Sequence, residues 1–127
     1  MEIPEGLELR DSPIHGLGVF ATRDFPTGYC FGEFIGTEMG HTQFKSKYGN
    51  DRRYCCRQRR TWRYRVAKEN RNWITYVNDG KHNQSVSVVN VYIKRFFIYA
   101  QTPVKAGDEL LLDYGKEYPW NDHVLSR

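Results

Sequence analysis

The chain has 127 residues, enough for one domain with a single core, and its 27% charged and 39% hydrophobic residues exclude a disordered or membrane-embedded composition. No apolar run approaches the roughly 20 residues of a membrane helix, and Met1-Glu2-Ile3-Pro4-Glu5 is acidic where a secretory signal would be basic, so an intracellular protein without membrane contact is expected. A net charge of +4 permits an anionic partner without requiring one, and Cys30, Cys55 and Cys56 supply neither a disulfide framework nor a chelating spacing, so no metal is expected.

In chain order, Gly6-Leu7-Glu8-Leu9-Arg10 alternates apolar and polar as an edge strand does, and Asp11-Ser12-Pro13 turns it. His15-Gly16-Leu17-Gly18 then sets two glycines around one apolar residue. Such a loop is either a tight hairpin bend or a place where backbone amides approach a ligand, and it lacks the third glycine and helix of a dinucleotide motif. Tyr29 to Gly36 reads as a strand that glycines bend. From His41 to Tyr48 a short helix is expected, because Phe44 and Tyr48 share a face and Gly49 stops it.

Between residues 51 and 71 the cations Arg52, Arg53, Arg57, Arg59, Arg60, Arg63, Arg65, Lys68 and Arg71 meet only Asp51 and Glu69. Trp62, Tyr64 and Val66 alternate with Thr61, Arg63 and Arg65, which predicts aromatics on one sheet face and arginines on the other. That charge is either a solvated face or a groove for an acidic or nucleic-acid partner.

Asn72 to Asn78 is bulky and apolar between asparagines, reads as an aromatic strand and leads into a turn-rich stretch. Asn78 can offer amide and carbonyl to a ligand or cap its own turn. Ser85 to Tyr92 and Phe96 to Ala100, with Lys94-Arg95 between them, predict a hairpin without the favoured Asn-Gly turn. Leu110-Leu111-Leu112 is short and continuous enough to be buried on both faces, and it delivers Asp113-Tyr114-Gly115. Tyr114 is then either a rim tyrosine at a strand end or a rigidly held phenol suited to chemistry. Asn121 to Arg127 reads as a loose tail.

Together, His15-Gly16-Leu17-Gly18-Val19-Phe20, Glu33-Phe34-Ile35-Gly36, Asn72 to Asn78, and Ala106-Gly107-Asp108-Glu109-Leu110 through Tyr114-Gly115 resemble the SET domain of protein lysine methyltransferases, over about residues 7–118. The Phe31 to Gly36 stretch and the Asn72-Trp73 pair look most like the PR-type branch, and the chain is as short as the small viral SET proteins. The resemblance implies a mainly β fold of small curved sheets with a C-terminal pseudoknot-like crossing in a single domain. It implies S-adenosylmethionine as cofactor, held by His15, Gly16, Leu17, Gly18, Tyr64, Tyr76, Asn78, Asp79 and Tyr114. Tyr114 would be the catalytic residue, and Phe34, Tyr64 and Tyr118 would wall a substrate-lysine channel.

A histone or another basic tail is the implied substrate and the nucleus the implied location. A homodimer or complex partner stays open, and nucleic acid along Arg52 to Arg65 is a minor alternative. The family's Asn-His-Ser-Cys reads Asn78-Asp79-Gly80-Lys81 here, Thr75 stands where an arginine is usual, and Ala67 where an acid is. These departures keep a second function class in view, a SET-like binding or scaffold module without turnover.

Overall fold

The computed structural model describes residues 1–58, 60–82 and 88–115. It is mainly β, with strands β1 (Leu7–Asp11), β2 (Leu17–Ala21), β3 (Cys30–Glu33), β4 (Thr37–Gly40), β5 (Cys55–Gln58), β6 (Arg63–Val66), β7 (Asn78–Asp79), β8 (Val91–Lys94), β9 (Phe97–Ala100) and β10 (Leu111–Leu112). One helix, α1, spans His41–Tyr48. The strands form four small sheets: β1-β2, β3-β9-β8, β4-β6-β5, and the parallel pair β7-β10. No helix among the described residues is long and apolar enough to cross a membrane.

Local chemistry accounts for most of these elements. The glycine-flanked stretch is a hairpin, with Leu7 opposite Ala21 and Asp11 opposite Leu17, and it buries Val19 and Ala21 in the main core. Helix α1 ends where expected, at Gly49, whose backbone N–H donates to Lys45 O with φ at 64°. Phe44 is fully buried, and its ring lies 4.0 Å from that of Tyr64, nearly parallel to it. Tyr64, Met39, Phe44 and Val66 make a second, smaller core cluster beside the main one.

Four expectations differ from what forms. Trp73–Tyr76 is a 3-10 turn instead of strand, because Asn72 Oδ1 caps it by accepting from Ile74 N at 2.9 Å. Trp62 lies outside β6 at φ 54° and is half exposed, so only Tyr64 and Val66 keep the inward alternation. Arg65, expected on an outward face, turns inward, donating to Glu33 Oε2 at 2.6 Å and Phe34 O at 3.0 Å beneath the Phe96 ring. A β8-β9 hairpin forms, but its first strand starts only at Val91 and takes in Lys94, and the turn falls one residue later than expected, at Arg95 and Phe96, which both adopt positive φ.

The crossing sits at Gly80. Its N–H donates to Leu112 O at 2.8 Å, and its own carbonyl accepts from Val88 N at 3.0 Å, so three stretches of backbone meet there. A Cβ on Gly80 would lie 1.7 Å from Val88 O and 2.8 Å from Leu111 Cβ. Only a glycine fits. Gly80→Ala should therefore lower unfolding free energy by about 3 kcal/mol or abolish folding, read by urea denaturation, since the atoms in the way are mostly backbone.

Candidate functional site

The strand Val77-Asn78-Asp79 is where the site is assembled. Asn78 is 5% exposed, and its side-chain Nδ2 lies within donor range of His15 O at 3.0 Å, Leu17 O at 3.2 Å and Glu109 Oε2 at 2.9 Å. With two hydrogens for three acceptors, the amide nitrogen is committed to the fold. Ser12 Oγ approaches the same Glu109 carboxylate at 2.9 Å, and a Cβ on Gly18 would collide with it. Glu109 thus welds the hairpin bend to the asparagine. Sequence reasoning saw it only as part of a motif, although an acid beside the apolar Leu110-Leu111-Leu112 run was the available signal.

Asp79 faces the other way. Its Oδ1 accepts from Tyr114 N at 2.8 Å, and its Oδ2 from His82 N at 2.5 Å. Tyr114 completes the arrangement by donating its hydroxyl to Val77 O at 2.5 Å. Backbone and phenol of Tyr114 are both fixed by residues one strand away, and a phenol held at two points loses little freedom when a reactant arrives. Gly115, at φ 87°, turns the chain just after it.

An open cleft of about 1090 Å³ has His15, Gly16, Leu17, Phe34, Tyr64, Tyr76, Asn78 and Tyr114 along its walls. Sequence-expected residues therefore converge from five separate stretches. Gly18 and Asp79 are not on that wall: the first is packed against Glu109 and the second is buried against Tyr114 N and His82. Tyr64 borders the cleft but is 0% exposed, stacked on Phe44 with its hydroxyl 3.1 Å from His41 Nδ1, so its ring stands behind the surface. Tyr118 lies outside the described residues. Gly16 has φ 47° and open space where a Cβ would point, so the backbone of the bend is accessible to a ligand.

A guanidinium does reach the place where Thr75 stands. Arg71 donates to Thr75 Oγ1 at 3.0 Å and to Thr75 O at 3.2 Å, with Tyr54 and Tyr76 rings 3.9 and 4.0 Å from its Cζ. The thiols at the cleft edge are held protonated: burial pushes Cys55 up to about 11 and Cys56 up to about 12, which makes them poor nucleophiles and poor metal ligands. Asp79, His82 and Asp113 bring ligand atoms within 4.8 Å of one another. These groups already engage each other, Tyr114 N and Lys81, whose Nζ is 3.5 Å from Asp113.

The Arg52–Tyr54 wall is tied down by Asp51. Arg53 donates three times to the Asp51 carboxylate, twice from its guanidinium and once from its backbone N–H, and Lys68 lies 3.3 Å from it. The Arg53 hydrogen bonds outweigh burial and hold Asp51 below the usual 3.8, at about 2. A carboxyl whose folded pKa is lowered contributes stability above its unfolded value and loses it as pH falls through the folded one. Acid denaturation between about pH 4 and pH 2 should therefore be shallower in Asp51→Asn than in the native chain, measured by circular dichroism. At the other end of the cleft, Asn78→Asp would set a carboxylate against Glu109 and two carbonyl oxygens. It should cost about 3 kcal/mol in chemical denaturation, where a surface Asn→Asp change costs a few tenths.

Small sheets, a parallel two-residue crossing at the C-terminal side and a cleft shared by the glycine bend and the tyrosine strand define a SET-type β fold. The family model of the SET domain matches residues 16–115, and the chain belongs to that family. Among solved structures, the methyltransferase domain of human PR domain-containing protein 2 is similar over 92% of this chain and 82% of its own, at 26% identity and TM-score 0.64. A polycomb repressive complex 2 structure from Chaetomium thermophilum is similar over 91% of this chain at 21% identity and TM-score 0.72. The ctPRC2 structure in an autoinhibited conformation bound to S-adenosylmethionine is similar over 98%, at 21% identity and TM-score 0.70. The match spans 16% and 17% of those two longer chains, and at that identity they carry the fold alone. No curated protein matches this sequence.

Proposed function

We infer that the protein is an S-adenosylmethionine-dependent protein-lysine N-methyltransferase. The observation that carries this reading is the meeting of the accessible Gly16 bend, Asn78 and the doubly fixed Tyr114 on one aromatic-walled cleft. A methyl donor of this kind fits the residues present: backbone at His15 to Leu17 for its amino-acid end, the Asn78 carbonyl oxygen for its ammonium, and the Tyr76 ring beside its charge. When bound, the donor supplies an electrophilic methyl group on a sulfonium.

The chain's own contribution is alignment and the exclusion of water. Tyr76 offers its ring to a cationic group, a contact worth about 0.5 to 2 kcal/mol, while Phe34 is 3% exposed and backs the wall from the core. Because Tyr114 donates its hydroxyl hydrogen to Val77 O, its oxygen would meet an incoming amine as an acceptor and so orient the nitrogen lone pair. No side chain needs to act as a nucleophile, which agrees with the raised Cys55 and Cys56. The lysine proton would leave to water before transfer, and Tyr114 would hold the neutral amine with its lone pair toward the electrophilic methyl that the donor would supply.

The reading extends to a histone or another chromatin protein as substrate, action within a complex and a nuclear location; its support is that one of the similar structures is ctPRC2 in complex with H3K27me3 and H3K27M. The second reading, a scaffold that keeps the fold without turnover, rests on Asp79, Gly80 and Lys81 replacing the family's histidine, serine and cysteine. Asp79 is accommodated by burial against Tyr114 N, away from the cleft wall, and Gly80 by the backbone crossing.

Calorimetric titration with S-adenosylmethionine should give saturable binding, and a lysine-peptide panel should gain 14 mass units in its presence. Tyr114→Phe should keep cofactor affinity within about threefold while turnover falls on the order of a hundredfold. Cofactor binding with no methylated peptide would favour the scaffold.

A further inference from the structure

Trp62 stands outside the cleft and is placed at a cost. It lies in the turn between β5 and β6, whose last paired residues are Gln58 and Arg63, and Thr61 Oγ1 braces that turn by donating to Gln58 Oε1 at 3.0 Å. Its backbone sits at φ 54° and its side chain is 50% exposed. A left-handed conformation strains any residue with a side chain, and an exposed indole forgoes the burial that usually favours tryptophan.

The indole is nevertheless held firmly. The His41 ring meets it at 5.0 Å with the planes at 75°, and His41 in turn stacks on Tyr64 and brings Nδ1 to 3.1 Å from its hydroxyl. Tyr64 stacks on Phe44, so Trp62 is the outer end of a row of four rings rooted in the second core cluster. Arg57 Cζ lies 4.8 Å from the indole centre, and half of the side chain still faces solvent. That is a flat apolar surface on a rigid support.

The residues beside it indicate what would lie there. Arg60 and Arg63, two positions before and one after, are both exposed. Arg63 extends across Gly40 of β4, with its Nη1 3.6 Å from where a Cβ would stand. A basic tail would meet like charges at this turn, and an acidic peptide would leave the indole uncovered. A lipid surface calls for several apolar side chains where the turn presents one. An anion built of flat rings satisfies both features, and in a single strand the base faces are open to stack, whereas in a duplex they already stack on one another.

We propose that the β5–β6 turn is a docking site for single-stranded nucleic acid, with a base on the Trp62 indole and the adjoining phosphates at Arg60 and Arg63. The proposal is independent of the methyltransferase reading and needs no cofactor. Arg57 and Gln58 also line the cleft, so the strand lies at its rim.

The test follows the anisotropy of fluorescein-labelled 12-nucleotide probes on the full chain: single-stranded RNA and DNA of one mixed sequence, the DNA duplex, and an abasic DNA strand of sugar and phosphate alone. RNA and DNA single strands should bind alike, about tenfold tighter than the abasic strand and tighter than the duplex. Trp62→Ala should weaken the single strands about tenfold, leave the abasic strand unchanged and keep the same salt slope, while Trp62→Tyr stays within about threefold. Arg60→Gln with Arg63→Gln should lower the slope of log affinity against log salt by about 1.4, at about 0.7 for each phosphate contact.

If Trp62→Ala misfolds by circular dichroism, the abasic comparison on the native chain decides. Equal binding of abasic and intact strands, a duplex that binds as tightly as the single strands, or unchanged affinity in a folded Trp62→Ala overturns the proposal. So does a chain that sediments with phosphatidylcholine–phosphatidylserine vesicles and binds no oligonucleotide, since the turn then serves a lipid surface.

Discussion

The structure depends on one buried amide. Asn78 has its side-chain nitrogen within reach of two carbonyls of the hairpin bend and one carboxylate oxygen from the strand entering β10. These acceptors lie 63, 61 and 31 residues away in the sequence, so the bond network closes long loops at a single point. A buried amide left without those partners would cost its full desolvation, which makes the arrangement all or nothing. The parallel pairing of Leu111 with Asn78 and Leu112 with Asp79 follows from it, and Gly80 lets the third strand of backbone pass.

Three consecutive residues then divide the work of building the site. Val77 takes the Tyr114 hydroxyl, Asn78 takes the glycine bend, and Asp79 takes the Tyr114 backbone N–H. A strand alternates its side chains, so Asn78 and Asp79 reach opposite ways from adjacent positions. This gives Asp79 a physical account. A histidine is usual there in the family resemblance, yet the carboxylate is 4% exposed and accepts two backbone N–H groups, an environment that suits an anion better than a ring.

Local signals were legible in the sequence and long-range ones were not. Phe44, Tyr48 and Gly49 were enough for α1, and the Leu110 to Leu112 run was enough for a buried segment, because periodicity and stop residues act over a few positions. Ordered motifs placed the bend, Asn78 and Tyr114 together. The 3-10 turn escaped because one asparagine cap overrode an apolar run that looked extended. The inward turn of Arg65 escaped because its partners, Glu33 and the Phe34 carbonyl, come from a strand 31 and 32 residues away. Gly80 could be read as a turn, but nothing local says that two other backbone segments touch it.

The cleft wall also holds its least comfortable backbone. Tyr54, Arg95 and Phe96 line it at positive φ, a conformation that costs a non-glycine residue roughly 1 kcal/mol or more. Phe96 and Tyr54 are gripped by contacts that offset the distortion. Phe34 N donates to Phe96 O at 2.6 Å, the Arg65 guanidinium lies 4.3 Å from the Phe96 ring centre, and Arg71 lies 3.9 Å from that of Tyr54. Guanidinium–ring contacts therefore shape the cleft and, through Arg71, charge it at the same time. A wall built from neutral apolar contacts could have the same outline, but it would bring no guanidinium to the cleft. That cation is thus inseparable from how this short chain makes an aromatic wall at all.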